Sequence, residues 1–456
     1  MRRSLTTPAR ADGFACSDWK VQQSIPDTRT TAIFLTTVLA AANMKERLWD
    51  RFLIVLTDME ENMERRFGIG VIGFGWMGRV HTTSYKRVLD HFPDLGVRPR
   101  LVVASDVSAE RRHQAELMGF ERTVDDWRMV VDDPAVEVIS VTTPNALHRE
   151  IATAVAEAGK HLWVEKPVGR GVEETIAVAE AVRKAGVINE VGFCYRFAPA
   201  VAHARDLIAM GAIGEVNHYR GAFLADYANR PDSAASWRFF REDSGSGVLG
   251  DLMAHVVDLT QFLVGPIVRL SGRTATMIPQ RPKLAVGVGT HFSRVETDEL
   301  VDVENEDWAG AMFEFESGSL GLLEASRVVV GPRVGLRFEV HGTEGALAWE
   351  LERMNELQRS KLAAEDPDEG YTTVFAGPGH GEFGAFQPGA GIPMGYDDLR
   401  VIEARNFLLS IRDGEQRGPG LDEMVATGRV LQAIERSDAR GGWEITQPPV
   451  VAGTAG

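Results

Sequence analysis

The sequence is poor in cysteine and has no long apolar run. Its 456 residues include only 2 cysteines, Cys16 and Cys194, and no Cys-x-x-Cys spacing. This scarcity argues against a disulfide framework and a zinc site, and it predicts a reducing compartment, the cytoplasm. No run approaches the roughly 18–20 apolar residues that a membrane-spanning helix needs, so we expect no membrane partner.

Positive charge is also in deficit, with 49 basic against 65 acidic residues and a net charge of -16. A negative field of this size argues against nucleic acid and anionic membranes as partners. The apolar fraction of 44% and the charged fraction of 25% are ordinary for a globular protein. The length exceeds that of one ordinary hydrophobic core, so we expect two folded domains.

The first 62 residues are treated separately because their pattern is ambiguous. Two arginines near the start and an apolar stretch at 31–42 are typical of an export signal, but three aspartates lie between them, where a signal peptide is positive. The alternatives are a start site placed too early, with the chain opening near Met63, and a genuine N-terminal arm. We predict that residues 1–62 are an extension, disordered or upstream of the true start, outside the folded domains.

From Phe67 onward, short apolar runs alternate with helical patterns, which predicts a parallel sheet flanked by helices. One helical pattern spans 145–159 and closes at Gly159. The strand candidates are 68–72, 101–105, 136–142, His161–Val164 and 188–192.

After Val216 the pattern changes to long alternating stretches separated by Gly and Pro turns, which predicts a mostly antiparallel sheet. Segments 281–300 and 352–396 are rich in Gly, Pro and charge and read as insertions. The strand candidates are 217–224, 309–316, 318–329, 336–340 and 346–350, and the helix candidates near the end are 397–411 and 422–437.

The first chemical motif is Gly73-Phe74-Gly75-Trp76-Met77-Gly78, between an apolar strand and a helical pattern. In a dinucleotide-binding turn, the first glycine permits the tight bend, the second admits the pyrophosphate and the third lets the helix pack on the strand. The sequence therefore predicts that this turn holds a dinucleotide, with Trp76 and Met77 among the contacting residues.

Asp106 ends the second predicted strand, later than the usual spacing because of an insertion at 90–99. A carboxylate there accepts hydrogen bonds from ribose hydroxyls and repels a 2′-phosphate, which favours NAD over NADP. The alternative role is that of a turn or helix cap. Arg111 and Arg112, one turn later, leave NADP possible.

Glu165-Lys166-Pro167 directly follows the strand candidate His161–Val164. Ligands of open parallel sheets bind beyond the carboxyl ends of the strands, so this position predicts a lysine in the cofactor crevice. An ammonium there stabilises a developing alkoxide or shuttles its proton. Taken alone, the tripeptide is equally compatible with a surface turn.

A glycine-rich segment from Gly245 to Gly250 precedes a helical pattern with Asp251 and His255 four residues apart, on one predicted helix face. Histidine is the usual base for a hydroxyl proton near neutral pH, and the aspartate can orient it or bind a second hydroxyl. We predict no metal, because no third ligand is evident. A buried structural histidine is the alternative, and Asp258, on the same face, is as compatible with a buried hydrogen bond.

These motifs together resemble one family, the glucose–fructose oxidoreductase, inositol dehydrogenase and MocA (Gfo/Idh/MocA) group, over about 67–437. Within it the chain looks most similar to the branch that includes levoglucosan and inositol dehydrogenases. Supporting stretches are Thr143-Pro144-Asn145 with His148, Gly214-Glu215, Ser236-Trp237-Arg238-Phe239, His341-Gly342-Thr343-Glu344-Gly345 and Gly395-Tyr396.

The resemblance implies an α/β fold with an N-terminal Rossmann domain, a doubly wound parallel sheet, at 63–195. A C-terminal α+β domain at 196–456 would carry a large open, mostly antiparallel sheet used to form a homodimer or homotetramer. It also implies a catalytic trio of Lys166, Asp251 and His255. The implied cofactor-binding residues are Gly73, Gly75, Trp76, Met77, Gly78, Asp106, Thr143, Pro144, Asn145, His148, Glu165 and Lys166.

We therefore predict a dehydrogenase that oxidises a ring hydroxyl of a sugar, anhydrosugar or cyclitol with NAD. His255 would take the hydroxyl proton with an apparent pKa near neutrality, Lys166 would hold the oxygen and Asp251 would fix the ring. The alternatives are an NAD-retaining glycosidase that oxidises transiently and a non-catalytic sugar sensor, which is expected to lose the Lys–His pair. Candidate sugar-lining residues are Asn145, His148, Tyr195, Tyr227, Trp237 and Tyr396.

Overall fold

The computed structural model describes residues 65–283, 297, 299–362 and 370–446. The predictions for residues 1–62, and for most of the insertion at 281–300, lie outside the described residues. Within the described ranges, no helix is long and apolar enough to cross a membrane.

The first half of the described chain forms a six-stranded parallel sheet. Its strands are β1 Arg65–Ile72, β2 Val97–Ser105, β3 Arg122–Val124, β4 Val138–Val141, β5 His161–Val164 and β6 Asn189–Val191. Their order across the sheet is β3-β2-β1-β4-β5-β6. The order reverses between β1 and β4, and a ligand crevice is expected beyond the carboxyl ends of strands at such a switch point.

Helices connect these strands and cover both faces of the sheet. They are α1 Trp76–His91, α2 Ala109–Met118, α3 Arg128–Val131, α4 Asn145–Glu157 and α5 Val172–Ala185. Ser108 caps α2, its side chain accepting a hydrogen bond from the Arg111 N–H, and Gly119 ends that helix with φ 105. Strand β4 is buried at every position, as a strand covered on both faces must be.

The second half forms a nine-stranded sheet in the order β16-β15-β14-β13-β7-β12-β11-β8-β17. Its neighbouring strands are antiparallel except for β7 and β12, which are parallel. The strands are β7 Val216–Ala225, β8 Ile267–Ala275, β11 Trp308–Phe315, β12 Leu320–Ser326, β13 Val334–Gly342, β14 Gly345–Glu350, β15 Glu356–Lys361, β16 Thr372–Phe375 and β17 Glu444–Ile445. A separate two-stranded sheet pairs β9 Gln280–Pro282 with β10 Leu300–Asp302.

Helices cover one face of this large sheet, and no described element covers the other, which we call the open face. The helices of this half are α6 Pro199–Ala209, α7 Arg241–Ser244, α8 Ala254–Leu263, α9 Tyr396–Asp413 and α10 Leu421–Arg440. Glycines on the covered face admit the helices closely: a Cβ at Gly221 would lie 2.8 Å from Val256 of α8, and one at Gly272 would lie 3.0 Å from Ile434 of α10. On the open face Leu320 and Leu322 are exposed, at alternate positions of β12.

Helix α9 returns from the second half of the chain to pack on the parallel-sheet half. Its buried residues Val401, Phe407 and Leu408 join a core cluster with Phe67 and Tyr85. This packing brings the start of α9 next to the glycine-rich turn at the end of β1, which is the region where the candidate site is built.

The predicted fold class is confirmed, whereas several element boundaries are not. Strand β2 begins at Val97, so the predicted insertion at 90–99 ends in strand, with Val97 fully buried. The strands missing from the candidates are β3, β8, β9, β10, β15, β16 and β17. Of these, β15 and β16 lie inside the segment 352–396. Strand β16 exposes most of its residues, so it lacks the apolar alternation by which a strand is recognised. The domain boundary at residue 195 stays a prediction.

Candidate active site

The glycine-rich turn has the backbone geometry that the motif requires. Gly73 adopts φ +88, and its N–H donates to the carbonyl of Ser105 at 2.8 Å, which joins the ends of β1 and β2. A Cβ at Gly78 would lie 2.3 Å from the Gly73 carbonyl oxygen, whereas one at Gly75 would meet no atom within 4 Å. Because α1 begins at Trp76, the open space at Gly75 lies at a helix N-terminus and suits a phosphate.

The carboxylate of Asp106 is fixed by two backbone donors. Its Oδ2 accepts from the Phe74 N–H at 2.8 Å, and its Oδ1 accepts from the Ser108 N–H at 2.9 Å. The guanidinium of Arg111 lies 3.6 Å from Oδ2. Each carboxylate oxygen has more than one lone pair, so Asp106 remains able to accept ribose hydroxyls, and Arg111 is the nearby cation that would tolerate a phosphate.

The three polar side chains of the segment after β4 that were predicted to bind ligands differ in their hydrogen-bond partners. The hydroxyl of Thr143 is buried and has no hydrogen-bond partner in the described part of the chain. The amide of Asn145 donates to the Ser244 carbonyl at 3.1 Å. The ring nitrogens of His148 lie 2.8 Å from the Pro167 carbonyl oxygen and 2.7 Å from that of Thr143. Asn145 and His148 are therefore engaged within the protein, and their predicted ligand contacts stay predictions.

These residues fit a dinucleotide. The space at Gly75, the buried hydroxyl of Thr143 and the carboxylate of Asp106 follow the carboxyl ends of β1, β4 and β2, where the strand order reverses. A buried hydroxyl without a protein partner is costly unless a ligand or water satisfies it, which makes Thr143 a natural contact for the cofactor.

Lys166 and Asp251 meet although they are far apart in the sequence. The ammonium of Lys166 donates to the backbone carbonyl of Asp251 at 2.6 Å and lies 3.5 Å from its carboxylate. The other carboxylate oxygen of Asp251 accepts from the Tyr227 hydroxyl at 2.7 Å and lies 3.9 Å from Nε of Arg238. The side chains of Asp251 and Lys166 are 26% and 12% exposed, so the carboxylate is the more accessible of the two groups.

Asp251 is carried by an unusual turn. Leu249–Met253 forms a π-helical turn directly before α8, so Asp251 lies in this wide turn and His255 in the regular helix that follows. Such turns recur at functional sites. The Glu306 carboxylate accepts from the N–H groups of Gly247 and Leu249 at 2.8 and 2.9 Å, which fixes the glycine-rich segment in front of the turn.

His255 is buried among aromatic rings. The ring of Tyr195 packs edge-on against it at 4.7 Å, and Phe193 and Phe223 lie 6.0 and 6.2 Å away. Burial, followed by the positive charge of Lys166, lowers the pKa of His255 well below its usual value. The sequence pattern does not reveal how fully this helix face is desolvated, and that burial acts against a pKa near neutrality; the pH profile itself stays a prediction.

The carboxylate of Glu165, predicted to bind the cofactor, is engaged within the protein. It lies 3.0 Å from Nε2 of His81 and 3.1 Å from a guanidinium nitrogen of Arg400. Burial opposes its ionisation, but the charge of Arg400, the contact with His81 and the charge of Lys166 together lower the pKa of Glu165 to about 2. Glu165 therefore remains an anion directly beside Lys166 in the chain.

A row of aromatic side chains links the glycine-rich turn to His255. Trp76, which is 59% exposed, stacks on Tyr396 with centroids 5.8 Å apart. Tyr396 lies 6.2 Å from Tyr195, which contacts His255. The Tyr396 hydroxyl is also 3.9 Å from the sulfur of Met77. The row therefore connects residues that were predicted to contact the cofactor with residues that were predicted to line the sugar site.

The sequence analysis missed Arg238 and Arg400 as residues of the site. The Arg238 guanidinium lies 4.3 Å from the ring of Trp237, the neighbour that was predicted instead. Arg400 is four residues after Tyr396, a spacing that places both on one helix face. That spacing could have indicated that Arg400 contacts Tyr396, but an arginine on a helix is usually solvent-exposed. Asp258 accepts from Arg196 at 2.5–3.0 Å, the buried pairing left open above.

Family models match both halves of the chain. The model described as an oxidoreductase family with an NAD-binding Rossmann fold matches residues 67–193, and that of the GFO/IDH/MocA C-terminal domain matches residues 201–348. Levoglucosan dehydrogenase from Pseudarthrobacter phenanthrenivorans is 36% identical over 83% of this chain and 98% of its own. scyllo-Inositol 2-dehydrogenase (NAD(+)) from Bacillus subtilis is 32% identical over 62% of this chain and 74% of its own.

A solved structure extends the similarity to three dimensions. Levoglucosan dehydrogenase in complex with NADH and levoglucosan superposes with a TM-score of 0.79 at 34% identity, covering 84% of this chain and 100% of that one. Both halves of the fold are thus shared with a protein whose structure was solved in complex with NADH. The chain belongs to the Gfo/Idh/MocA oxidoreductase family and is an NAD-dependent oxidoreductase acting on hydroxyl groups.

Proposed function

We propose that this enzyme oxidises a ring hydroxyl of a sugar, an anhydrosugar or a cyclitol to a ketone. The proposal rests on the contact between Lys166 and Asp251, whose ammonium nitrogen and backbone carbonyl oxygen lie 2.6 Å apart. The turn that carries Asp251 directly precedes the helix that carries the buried His255. The names of its relatives support the substrate class, since levoglucosan and scyllo-inositol are both polyhydroxylated rings.

His255 is the proposed base. Because its pKa is lowered, the imidazole is neutral at neutral pH and can accept the hydroxyl proton. The Lys166 ammonium donates to the same oxygen and stabilises the negative charge that grows on it. NAD, held at the glycine-rich turn and Asp106, would supply the acceptor for the hydride on the carbon that bears this oxygen. The C–H and O–H bonds of the substrate are thus broken, and ketone, NADH and one proton are formed.

Asp251, Tyr227 and Arg238 are proposed to hold the ring. The Asp251 carboxylate accepts hydroxyl donors, while the guanidinium of Arg238, 3.9 Å from it, offers donors to a neighbouring oxygen. A ring with adjacent hydroxyls can contact both kinds of group at once, whereas a simple alcohol offers only one hydroxyl. This pairing favours a polyol ring over a monohydroxy substrate.

NAD is the proposed preferred cofactor, because a 2′-phosphate would approach the anionic Asp106. Arg111, 3.6 Å from that carboxylate, is the residue that would permit residual use of NADP.

Self-association is proposed to use the open face of the nine-stranded sheet. Met312, Leu320 and Leu322 on adjacent strands expose about half of their surface there, which is apolar area that a second copy would bury. Light scattering of the purified protein should give a homodimer or a homotetramer, and Leu322→Glu should dissociate it. A monomeric wild-type protein would contradict this part of the proposal.

The experiment for the catalytic proposal is a screen of purified enzyme against sugars, anhydrosugars and cyclitols, followed by NADH absorbance. Lys166→Ala should lower the rate of NADH formation on any active substrate by roughly 10²–10⁴-fold. Lys160→Ala is the matched control, since Lys160 lies at the other end of β5 and donates to the Asp133 carbonyl. Substrate consumption without net reduction of added NAD would instead support the glycosidase alternative.

A further inference from the structure

Arg400 lies inside the protein, at the junction of α9 with the candidate site. Its side chain is 2% exposed. Its guanidinium donates to the hydroxyl of Tyr396 from two nitrogens, at 3.1 and 3.0 Å, and to the carboxylate of Glu403 at 2.7 Å. The nitrogen that binds Glu403 also lies 3.1 Å from the carboxylate of Glu165. One planar group thus connects the end of β5 with the start of α9.

Each partner of Arg400 touches a different part of the site. Glu165 immediately precedes Lys166 and also contacts His81 at 3.0 Å. Tyr396 stacks on Trp76 of the glycine-rich turn. A movement of the Arg400 guanidinium would therefore be transmitted both to the strand end that carries the lysine and to the aromatic row that lines the crevice.

The charges in this cluster are arranged around Arg400. Glu165 remains ionised, since its pKa is lowered to about 2, whereas burial raises the pKa of Glu403 to about 8. Arg400, 3.1 Å from the Glu165 carboxylate, is thus the cation that most favours the ionised form of Glu165. Removing one member of a buried ion pair leaves the other uncompensated, so the position of Glu165 depends on this arginine.

The same charges act on His255. Besides burial, the positive charges of Lys166 and Arg400 lower the pKa of His255, while the negative charges of Glu165 and Asp251 raise it. The aromatic residues packed on the imidazole add no charge near neutrality, since burial raises the pKa of Tyr195 further.

We infer that Arg400 is a positioning residue of this active site. It holds the Glu165 carboxylate beside Lys166 and the Tyr396 hydroxyl beside Trp76, and it contributes positive charge to the surroundings of His255. The expected fall in kcat rests on the proposed function. The expected shift of the His255 pKa does not depend on any substrate.

The test compares Arg400→Met with Arg405→Met, the same change on the same helix. Arg405 donates to Glu382 at 2.8 Å and its guanidinium lies 4.9 Å from the ring of Phe92, so it joins the two halves of the chain outside the site. The ¹³C-histidine NMR titration of His255, assigned with His255→Ala, is recorded together with kcat and the Kd of NADH.

Arg400→Met should lower kcat by roughly 10–100-fold, because small misplacement of a catalytic group is costly, with NADH affinity nearly unchanged. It should also move the His255 titration to higher pH. Glu165→Gln should move that titration to lower pH, the opposite direction, because it removes a negative charge. Arg405→Met should change neither the titration nor kcat.

A titration and a kcat in Arg400→Met that equal those of Arg405→Met would overturn the inference. If Arg400→Met does not fold, Arg400→Lys replaces it: the retained charge should leave the titration in place, while loss of the planar guanidinium should still lower kcat. An unshifted titration in Glu165→Gln would likewise overturn the inference. The titration of His255 needs no substrate. If the His255 pKa shifts as expected but the enzyme oxidises no ring hydroxyl, the result contradicts the proposed function and not the role of Arg400.

Discussion

The two aspartates of the site are held in contrasting ways. Asp106, in the parallel-sheet half, is fixed by the backbone N–H groups of Phe74 and Ser108, and its side chain is 5% exposed. Asp251, in the other half, is contacted by the side chains of Lys166 and Tyr227 and is 26% exposed. The cofactor end is thus built from main chain, whereas the substrate end is built from side chains of distant segments. Loss of the side-chain charge should accordingly cost less activity at Asp106 than at Asp251.

The largest effect should come from the two residues proposed to act on the hydroxyl oxygen. Lys166→Ala and His255→Ala should each lower kcat by roughly 10²–10⁴-fold, because each removes a group that acts in the transition state. The Kd of NADH, measured by fluorescence, should change little, since the glycine-rich turn is intact. A Kd that rises as steeply as kcat falls would show that the two ends of the site are not separable.

A smaller effect is expected from Asp251→Asn. The amide keeps the size of the side chain but loses its charge, so substrate KM should rise and kcat should fall, together lowering kcat/KM by roughly 10–100-fold. Steady-state kinetics at saturating NAD separate the two constants. If KM stayed at the wild-type value while kcat fell, Asp251 would act on the base and not on the ring.

The matching change at the cofactor end, Asp106→Ser, should leave the sugar site intact. Serine retains a hydrogen-bonding oxygen but removes the charge that repels a 2′-phosphate, so the preference of kcat/KM for NAD over NADP should fall by about tenfold, or 1–2 kcal/mol. Sugar KM at saturating cofactor should be that of the wild type. An unchanged preference would mean that Arg111 already cancels the carboxylate.

The smallest expected effect is the dependence of kcat/KM on pH. The base must be neutral to accept a proton, and the pKa of His255 lies below its usual value, so kcat/KM should stay level through neutrality and fall only as pH drops through that lowered pKa. The same sign holds for stability: the unfolded chain binds this proton first, so the contribution of His255 is complete above the usual histidine pKa and is lost below it. A limb of kcat/KM centred near pH 7 would contradict the burial argument.

Motifs of short span were readable from the sequence because local backbone chemistry dictates them. Gly73 and Gly75 follow a buried strand and Gly78 lies in the first turn of the next helix; the φ of Gly73 and the close approach at Gly78 require glycine, and the space at Gly75 is open. Alternating apolar residues likewise predicted most strands of the second sheet. Strand β16 escaped detection because it lies at the edge of that sheet, where one neighbour suffices and no apolar alternation is needed.

The sequence by itself determined the two-sheet architecture, the dinucleotide turn and the presence of Lys166, Asp251 and His255. Tertiary structure alone decided what surrounds them. Packing of α9 on the parallel-sheet half brings Arg400 to Glu165, and the buried helix face lowers the pKa of His255. The reason is physical: turns and periodicity arise from neighbours in the chain, whereas burial and charge pairing depend on distances between segments that are hundreds of residues apart.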